Sequence, residues 1–353
     1  MENIPADRLR IIDANINRLG EGLRVLEEFA RLTLNDTVLT QRLKDLRHKM
    51  VNVKGDLQKQ LLQARDAAGD VGSQMDVTGE EKKRDVPATI IANARRVQES
   101  LRVMEEMAKT PGIALDPEEY RQARFEIYTI EKALLSGVLR KEKVKKLVGL
   151  YGVVDTQWLK GKSHIEIAEQ LIRGGAKIIQ LRCKEGNTRD FLAAANDLKK
   201  MCAARDILFI VNDSLEVALA VDADGLHVGQ EDLPAAIARK LLSIDMLLGV
   251  SVSNVAEAKK ALADGADYLG VGAIFATATK ESARAVGIEM IKEVKQAVDL
   301  PVVAIGGINE NNLKGVIEAG ADAAAVISAI LQAKDIERAT MQLTNIFREY
   351  KRG

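Results

Sequence analysis

The sequence predicts an α/β protein, a (β/α)8 barrel of the TIM type preceded by an all-α N-terminal bundle with an internal repeat. Three observations lead there. From Leu147 onward, short β-branched runs alternate with amphipathic helical patterns. Before Leu139, apolar residues recur at helical spacing almost without a break. Within that first part, ANINRLGEGLRVLEEFA, beginning at Ala14, returns as ANARRVQESLRVMEEMA, beginning at Ala92. The expected division is a helical domain over 1–140 and a barrel over 147–353. The basic stretch LRKEKVKK, from Leu139 to Lys146, marks the boundary.

The repeat keeps a constant offset. Asn15 pairs with Asn93, Arg18 with Arg96, Gly22 with Ser100 and Glu28 with Glu106. A duplicated helix, each copy followed by another charged helix, suggests a small pseudo-symmetric bundle. On a helical wheel Asn15 and Asn93 fall among apolar residues, with Arg18 and Arg96 at the flank. A buried amide needs a partner. Two readings stay open. One is an Asn/Arg network that fixes helix register, with small residues allowing close helix approach. The other is a polar pocket shared by the two copies, to which Arg65, Asp70-Val71-Gly72 and Arg84 add phosphate contacts. No GxxxxGK[ST] loop or dinucleotide fingerprint occurs in this half.

The strand candidates of the second half are LVGLYGVVD, AKIIQLR, LFIVND, GLHVG, LLGVSV, YLGVGAI, PVVAIGG and AAAVISAI. Near-continuous apolar runs are what parallel strands buried on both faces require. Eight such units over this length close into a barrel, whose chemistry sits at the C-terminal strand ends. There the sequence places Gln180, Arg182 and Lys184, sharing a direction by strand alternation. Asn212 and Asp213 end the third strand, Gln230-Glu231-Asp232 follow the fourth, and Thr277, Thr279 and Lys280 follow the sixth. Carboxylates among cations suit a polyphosphate bound with Mg²⁺. The Gly306-Gly307 turn and the Ile327-Ser328 segment read as a second anion site built from backbone N–H groups. Two phosphorylated substrates follow. His227, inside the fourth strand, reads as a packed or hydrogen-bonded core histidine, and Cys183, pointing opposite to its neighbours, as structural.

Composition narrows the classes of function. Of 353 residues, 51 are Lys or Arg and 51 Asp or Glu, so no global field draws the chain to nucleic acid or anionic membrane. No segment is long and apolar enough to span a bilayer, and no leader is evident at the start. Two cysteines, Cys183 and Cys202, without metal spacing, favour a reducing cytoplasm. Small molecules are the expected partners, and self-association stays open.

The ordered set QLRCK, VND, ADGLHVGQEDLP, LGVSVSN, ADYLGVGAIFATATK, PVVAIGGIN and AVISAI resembles thiamine phosphate synthases over nearly all of residues 147 to 350. The resemblance implies condensation of hydroxymethylpyrimidine diphosphate with a thiazole phosphate, giving thiamine phosphate and pyrophosphate. It implies that Gln180, Arg182, Lys184 and Asn212 contact the diphosphate substrate, and that Asp213 and Asp232 ligate Mg²⁺. Ser251 and Lys280 would complete the pyrophosphate cradle; Thr277, Thr279, Gly307, Ile327 and Ser328 would surround the thiazole phosphate. Ala273 and Ala276 stand where many relatives have proline, Cys183 where an acidic residue is common, and the segment from Glu281 to Val286 aligns only loosely. The alternatives for the barrel are a thiazole tautomerase or another phosphate-binding isomerase, which would need one anion site and a general acid/base. The first half resembles a helical domain fused to such synthases and proposed to phosphorylate the pyrimidine monophosphate with ATP. The alternative there is a dimerisation or regulatory module without catalysis.

Overall fold

The computed structural model describes residues 4–53, 55–66, 69–70, 84–184, 186–277 and 284–350. The chain divides into two compact units, Met1–Leu139 and Arg140–Gly353.

The first unit is helical. Helix α1 spans Ala6–Glu28 and continues as a π-helical turn, Phe29–Leu34. Helices α2 (Thr37–Val51), α3 (Asp56–Ala64) and α4 (Val86–Ala108) follow, and α5 starts at Pro117. Asp36 and Asp85 cap α2 and α4 by accepting the backbone N–H three residues on, which satisfies one of the orphan donors of each first turn. The repeated segments are α1 and α4, and they pack face to face. Gly22 makes this possible: a Cβ there would lie 2.6 Å from a Val97 methyl and 3.3 Å from the Asn93 carbonyl oxygen. Leu19, Leu23, Leu26, Val97, Leu101 and Met104 fill the interface and are fully buried.

Helix α5 runs Pro117–Val144, so the basic stretch that marks the boundary is mostly helix, and the two units divide within it, after Leu139. Lysines and arginines suit the end of a long helix, where carbonyls are unpaired.

The second unit is a closed barrel of eight parallel strands in the order β1 to β8. They are Gly149–Asp155, Ile178–Arg182, Leu208–Asn212, Gly225–Val228, Leu247–Val252, Tyr268–Gly272, Val302–Ile305 and Ala323–Val326. Helices α6 (His164–Arg173), α7 (Thr188–Ala203), α8 (Leu215–Ala220), α9 (Ala235–Leu241), α10 (Val255–Ala263), α11 (Glu289–Ala297) and α12 (Leu313–Glu318) cover the strands. The short α13 (Ser328–Leu331) and the final α14 (Ile336–Tyr350) complete the unit. Side chains of alternate parity divide between two cores. One lies between strands and helices, with Val154, Leu181, Phe209, Leu226 and Leu269. The other fills the barrel interior, with Tyr151, Val153, Ile178, Ile210, Leu247 and Tyr268.

The N-terminal ends of the strands are tied by a recurring device. Ala-Asp stands before β4, β6 and β8, and each aspartate accepts a backbone N–H from the preceding strand's edge. Asp224 takes Phe209 at 2.9 Å, Asp267 takes Leu248 at 2.8 Å and Asp322 takes Val302 at 2.8 Å. Among the described residues no helix is long and apolar enough to cross a membrane.

Candidate active site

Closing the barrel brings the inward-facing polar residues to one mouth. A cavity of about 310 Å³ opens at the C-terminal strand ends, with Gln180, Arg182, Lys184, Asn212 and Asp213 along one side. Asp232, Ser251, Thr277, Gly307, Ile327 and Ser328 line the rest. Thr279 and Lys280 lie outside the described residues. Gln180 and Arg182 face in because they share parity in β2; Lys184 follows two residues past its end.

Two ion pairs organise this wall. Arg182 is held by Asp155, a fully buried carboxylate at the end of β1 whose other oxygen accepts the Gln157 N–H at 3.1 Å. Strand register sets Asp155 directly beside Arg182. Lys184 bonds Asp213. Asp213 has a left-handed backbone (φ 63°), a conformation aspartate tolerates better than most residues, and its N–H donates to the His227 carbonyl at 2.8 Å. Asp232 stands beside Asp213, near enough to act on its carboxyl. Burial and the neighbouring Asp232 push the Asp213 carboxyl above its ordinary range, and Lys184 opposes the shift. Asp232 is anchored by the Gly229 N–H at 2.8 Å.

The opposite wall is backbone. Gly306 and Gly307 have φ of 98° and 65°, open to glycine. The Phe275 N–H takes the Gly306 carbonyl at 3.1 Å, and the Asn312 side-chain amide takes the Gly307 carbonyl at 2.9 Å. A trans peptide points its N–H opposite its carbonyl, so the N–H groups of Gly307 and Ile308 turn the other way, and both residues line the cavity. A Cβ on Gly307 would sit 2.6 Å from the Ala276 carbonyl oxygen.

Beneath the mouth lies a polar chain that the sequence reading missed. The Gln180 amide donates to the Tyr151 hydroxyl at 3.0 Å, and Tyr151 meets the Tyr268 hydroxyl at 3.1 Å. Tyr268 meets His227 Nδ1 at 3.1 Å, and His227 Nε2 meets Ser251 Oγ at 2.9 Å. His227 is thus a hydrogen-bonded interior residue, as its place inside a strand suggested. Burial pushes its pKa down to about 4, so the ring is neutral near pH 7. Burial also raises both tyrosines. Gly249 makes room, since a Cβ there would be 2.2 Å from Tyr268 Cζ and 2.4 Å from His227 Nδ1. Tyr151 and Asp155 share inward parity in β1, the one signal that marked them. Cys183 packs at the edge of the outer core.

In the helical unit, Asn15 is buried and its amide donates to the Ile11 carbonyl at 2.8 Å; Asn93, half-buried, does the same to Thr89 at 2.9 Å. Each amide therefore bonds its own helix, and Arg18 and Arg96 are exposed. The repeated buried charge is Glu27 and its counterpart Glu105, one residue before the pair singled out from sequence. Arg65 grips the buried Asp13 with two bonds of 2.7 Å. The copy-two equivalent of Asp13 is Ile91, so this pair breaks the pseudo-symmetry. Asp70 and Arg84 are exposed, and Val71 and Gly72 lie outside the described residues.

A closed parallel barrel with cations, carboxylates and an amide-lined turn at its C-terminal mouth has the build of a barrel enzyme acting on phosphorylated compounds. Residues 150–330 match the family model "Thiamine monophosphate synthase", and residues 10–133 match that of the "ThiD2 family". The chain is 39% identical to the thiamine-phosphate synthase of Synechocystis sp., over 96% of both chains. It is 38% identical to that of Thermosynechococcus vestitus, over 95% of this chain and 93% of the relative. The solved thiamine phosphate pyrophosphorylase of Pyrococcus furiosus is 38% identical, with a TM-score of 0.54 over 58% of this chain and 98% of that one. The chain belongs to the thiamine-phosphate synthase family, transferases of thiamine biosynthesis.

Proposed function

We propose that the barrel condenses 4-amino-2-methyl-5-hydroxymethylpyrimidine diphosphate with 4-methyl-5-(2-phosphoethyl)thiazole, releasing pyrophosphate. The observation that carries this reading is the convergence of Arg182, Lys184, Asp213 and Asp232 on one side of a cavity whose other side is the Gly306-Gly307 turn. One anion site handles a diphosphate, and the other a monophosphate.

Asp213 and Asp232 fit a divalent cation. Two adjacent carboxylates, one of them pushed toward protonation by burial and by the other, are stabilised by a cation between them, and Mg²⁺ takes one or two acidic ligands with the rest from phosphate oxygens and water. When bound, Mg²⁺ supplies charge neutralisation to the diphosphate. Arg182 and Lys184 hold the remaining oxygens and stabilise the charge that develops on the departing pyrophosphate. The C–O bond breaks with its electron pair leaving on pyrophosphate, aided by electron release from the aminopyrimidine to its exocyclic CH₂. The thiazole nitrogen then forms the C–N bond with its own lone pair, so no general base is needed. The Gly307 turn and Ser328 hold the thiazole phosphate so that this nitrogen lies in line.

Asp213→Ala tests the reading. Loss of one preorganised electrostatic group lowers kcat by roughly 100- to 1000-fold, while circular dichroism stays that of the folded barrel. Near-normal turnover in the folded variant contradicts the assignment. Lys280→Ala is expected to behave alike, from its place in the family pattern.

For the helical unit, the proposal is phosphorylation of the pyrimidine monophosphate with ATP as co-substrate. The ThiD2 match and the unpaired symmetry of Asp13–Arg65 support it, since a purely structural duplication has no need of a charged pair in one copy alone. Full-length Asp213→Ala protein, supplied with ATP, Mg²⁺ and the monophosphate, should release ADP. Absence of ADP favours a dimerisation or regulatory module.

A further inference from the structure

We infer that Tyr268 is a positioning residue: the chain Gln180–Tyr151–Tyr268–His227 fixes the tautomer of His227 so that Ser251 must donate its proton into the cavity. The inference rests on the proposed diphosphate site at the barrel mouth and deepens it.

The argument is one of counting protons. Each tyrosine hydroxyl carries one, the neutral His227 ring carries one, and Ser251 carries one. Gln180 donates an N–H to the Tyr151 oxygen. Tyr151 is left to give its own proton to Tyr268, 3.1 Å away. Tyr268 already accepts there, so its proton goes to His227 Nδ1 at 3.1 Å. With Nδ1 an acceptor, the ring's proton stands on Nε2 and is donated to Ser251 Oγ at 2.9 Å. Ser251 therefore accepts from beneath, and its hydroxyl proton points to the cavity it lines. The reverse direction would require the Gln180 amide turned so that Oε1 accepts from Tyr151, whereas the structure sets Nε2 against that hydroxyl.

Direction matters for an anion. A serine that spent its proton on the histidine would present lone pairs to the leaving pyrophosphate, which repel it. A serine that accepts from the histidine presents a donor, and the donor strengthens as charge moves onto the pyrophosphate. Tyr268 has no exposed surface and does not line the cavity, so it acts through its bonded neighbours, Tyr151 and Gln180 on one side and His227 and Ser251 on the other; the second path carries the proposed donor.

Two measurements on the full-length protein test this. The chain has three histidines, so ¹⁵N-histidine labelling, with His48→Gln and His164→Gln to assign signals, isolates the His227 ring. The wild type should show a protonated Nε2 and an accepting Nδ1. In Tyr268→Phe, which keeps the ring and removes the hydroxyl, the tautomers should mix. Its kcat should fall about tenfold, the weight of roughly one hydrogen bond, with the diphosphate KM changed little. In a Ser251→Ala background the same substitution should leave kcat within about twofold, because its route is already cut. A wild-type ring protonated at Nδ1 overturns the inference, as does an unchanged kcat in Tyr268→Phe or an equal loss in both backgrounds. A wild type without product sinks the functional reading instead, and the ring spectrum separates the two failures.

Discussion

Asp155 shows how much of a site can hide in an apolar strand. It closes the run LYGVVD, is fully buried, and pairs with Arg182 through one oxygen while the other accepts the Gln157 N–H. Removing it would leave an arginine unpaired at the rim of a half-enclosed cavity, so Asp155→Ala is expected to weaken the diphosphate site while Asp155→Asn preserves part of it. A diphosphate KM raised roughly tenfold or more in Asp155→Ala, against a smaller rise in Asp155→Asn, is the expected pattern. Gly307 makes a second residue-scale prediction. Alanine there brings a Cβ within 2.6 Å of the Ala276 carbonyl oxygen. Steady-state kinetics on Gly307→Ala should show a raised KM for the thiazole phosphate and a nearly unchanged KM for the diphosphate. Equal effects on both would argue against separate anion sites.

At the scale of elements, alternation explains what the sequence disclosed and what it kept. Gln180, Arg182 and Lys184 were readable because charged residues at spacing two stand out against an apolar strand. Tyr151, Tyr268 and Asp155 obey the same alternation, yet a tyrosine in a strand looks like packing, and one aspartate at a strand end looks like a cap. The tyrosines are linked by cross-barrel proximity between β1, β4 and β6, and Asp155 meets Arg182 through the β1–β2 register; no local pattern encodes either. The helical repeat was plain as a repeat, but that its buried charge is Glu27, with Glu105 in the second copy, was not legible, because doublets of like charge conceal which one turns inward. The Ala-Asp device at β4, β6 and β8 also shows only once strand edges are paired. Asp322→Ala deletes an acceptor for the Val302 N–H at one of those edges. It should cost about 1–3 kcal/mol of barrel stability, read as a lower urea midpoint, with activity per folded molecule retained. Gly22→Val belongs to the same scale. Its added methyls meet Val97 in the α1–α4 interface, and a loss of about 1–3 kcal/mol in the helical unit follows.

For the whole molecule, two units with separate cores lie in one chain whose family relatives share nearly its full length. The barrel reading and the helical reading predict different consumption of ATP, so one experiment addresses both. Purified full-length protein with Mg²⁺ and thiazole phosphate is given the pyrimidine diphosphate in one reaction, and the monophosphate plus ATP in another. The second reaction reports on the helical unit, with product expected only when ATP is present. The first decides the central claim. Thiamine phosphate and pyrophosphate should appear in equal amounts without ATP, and their absence from folded, Mg²⁺-supplied protein would contradict the assignment of the barrel mouth.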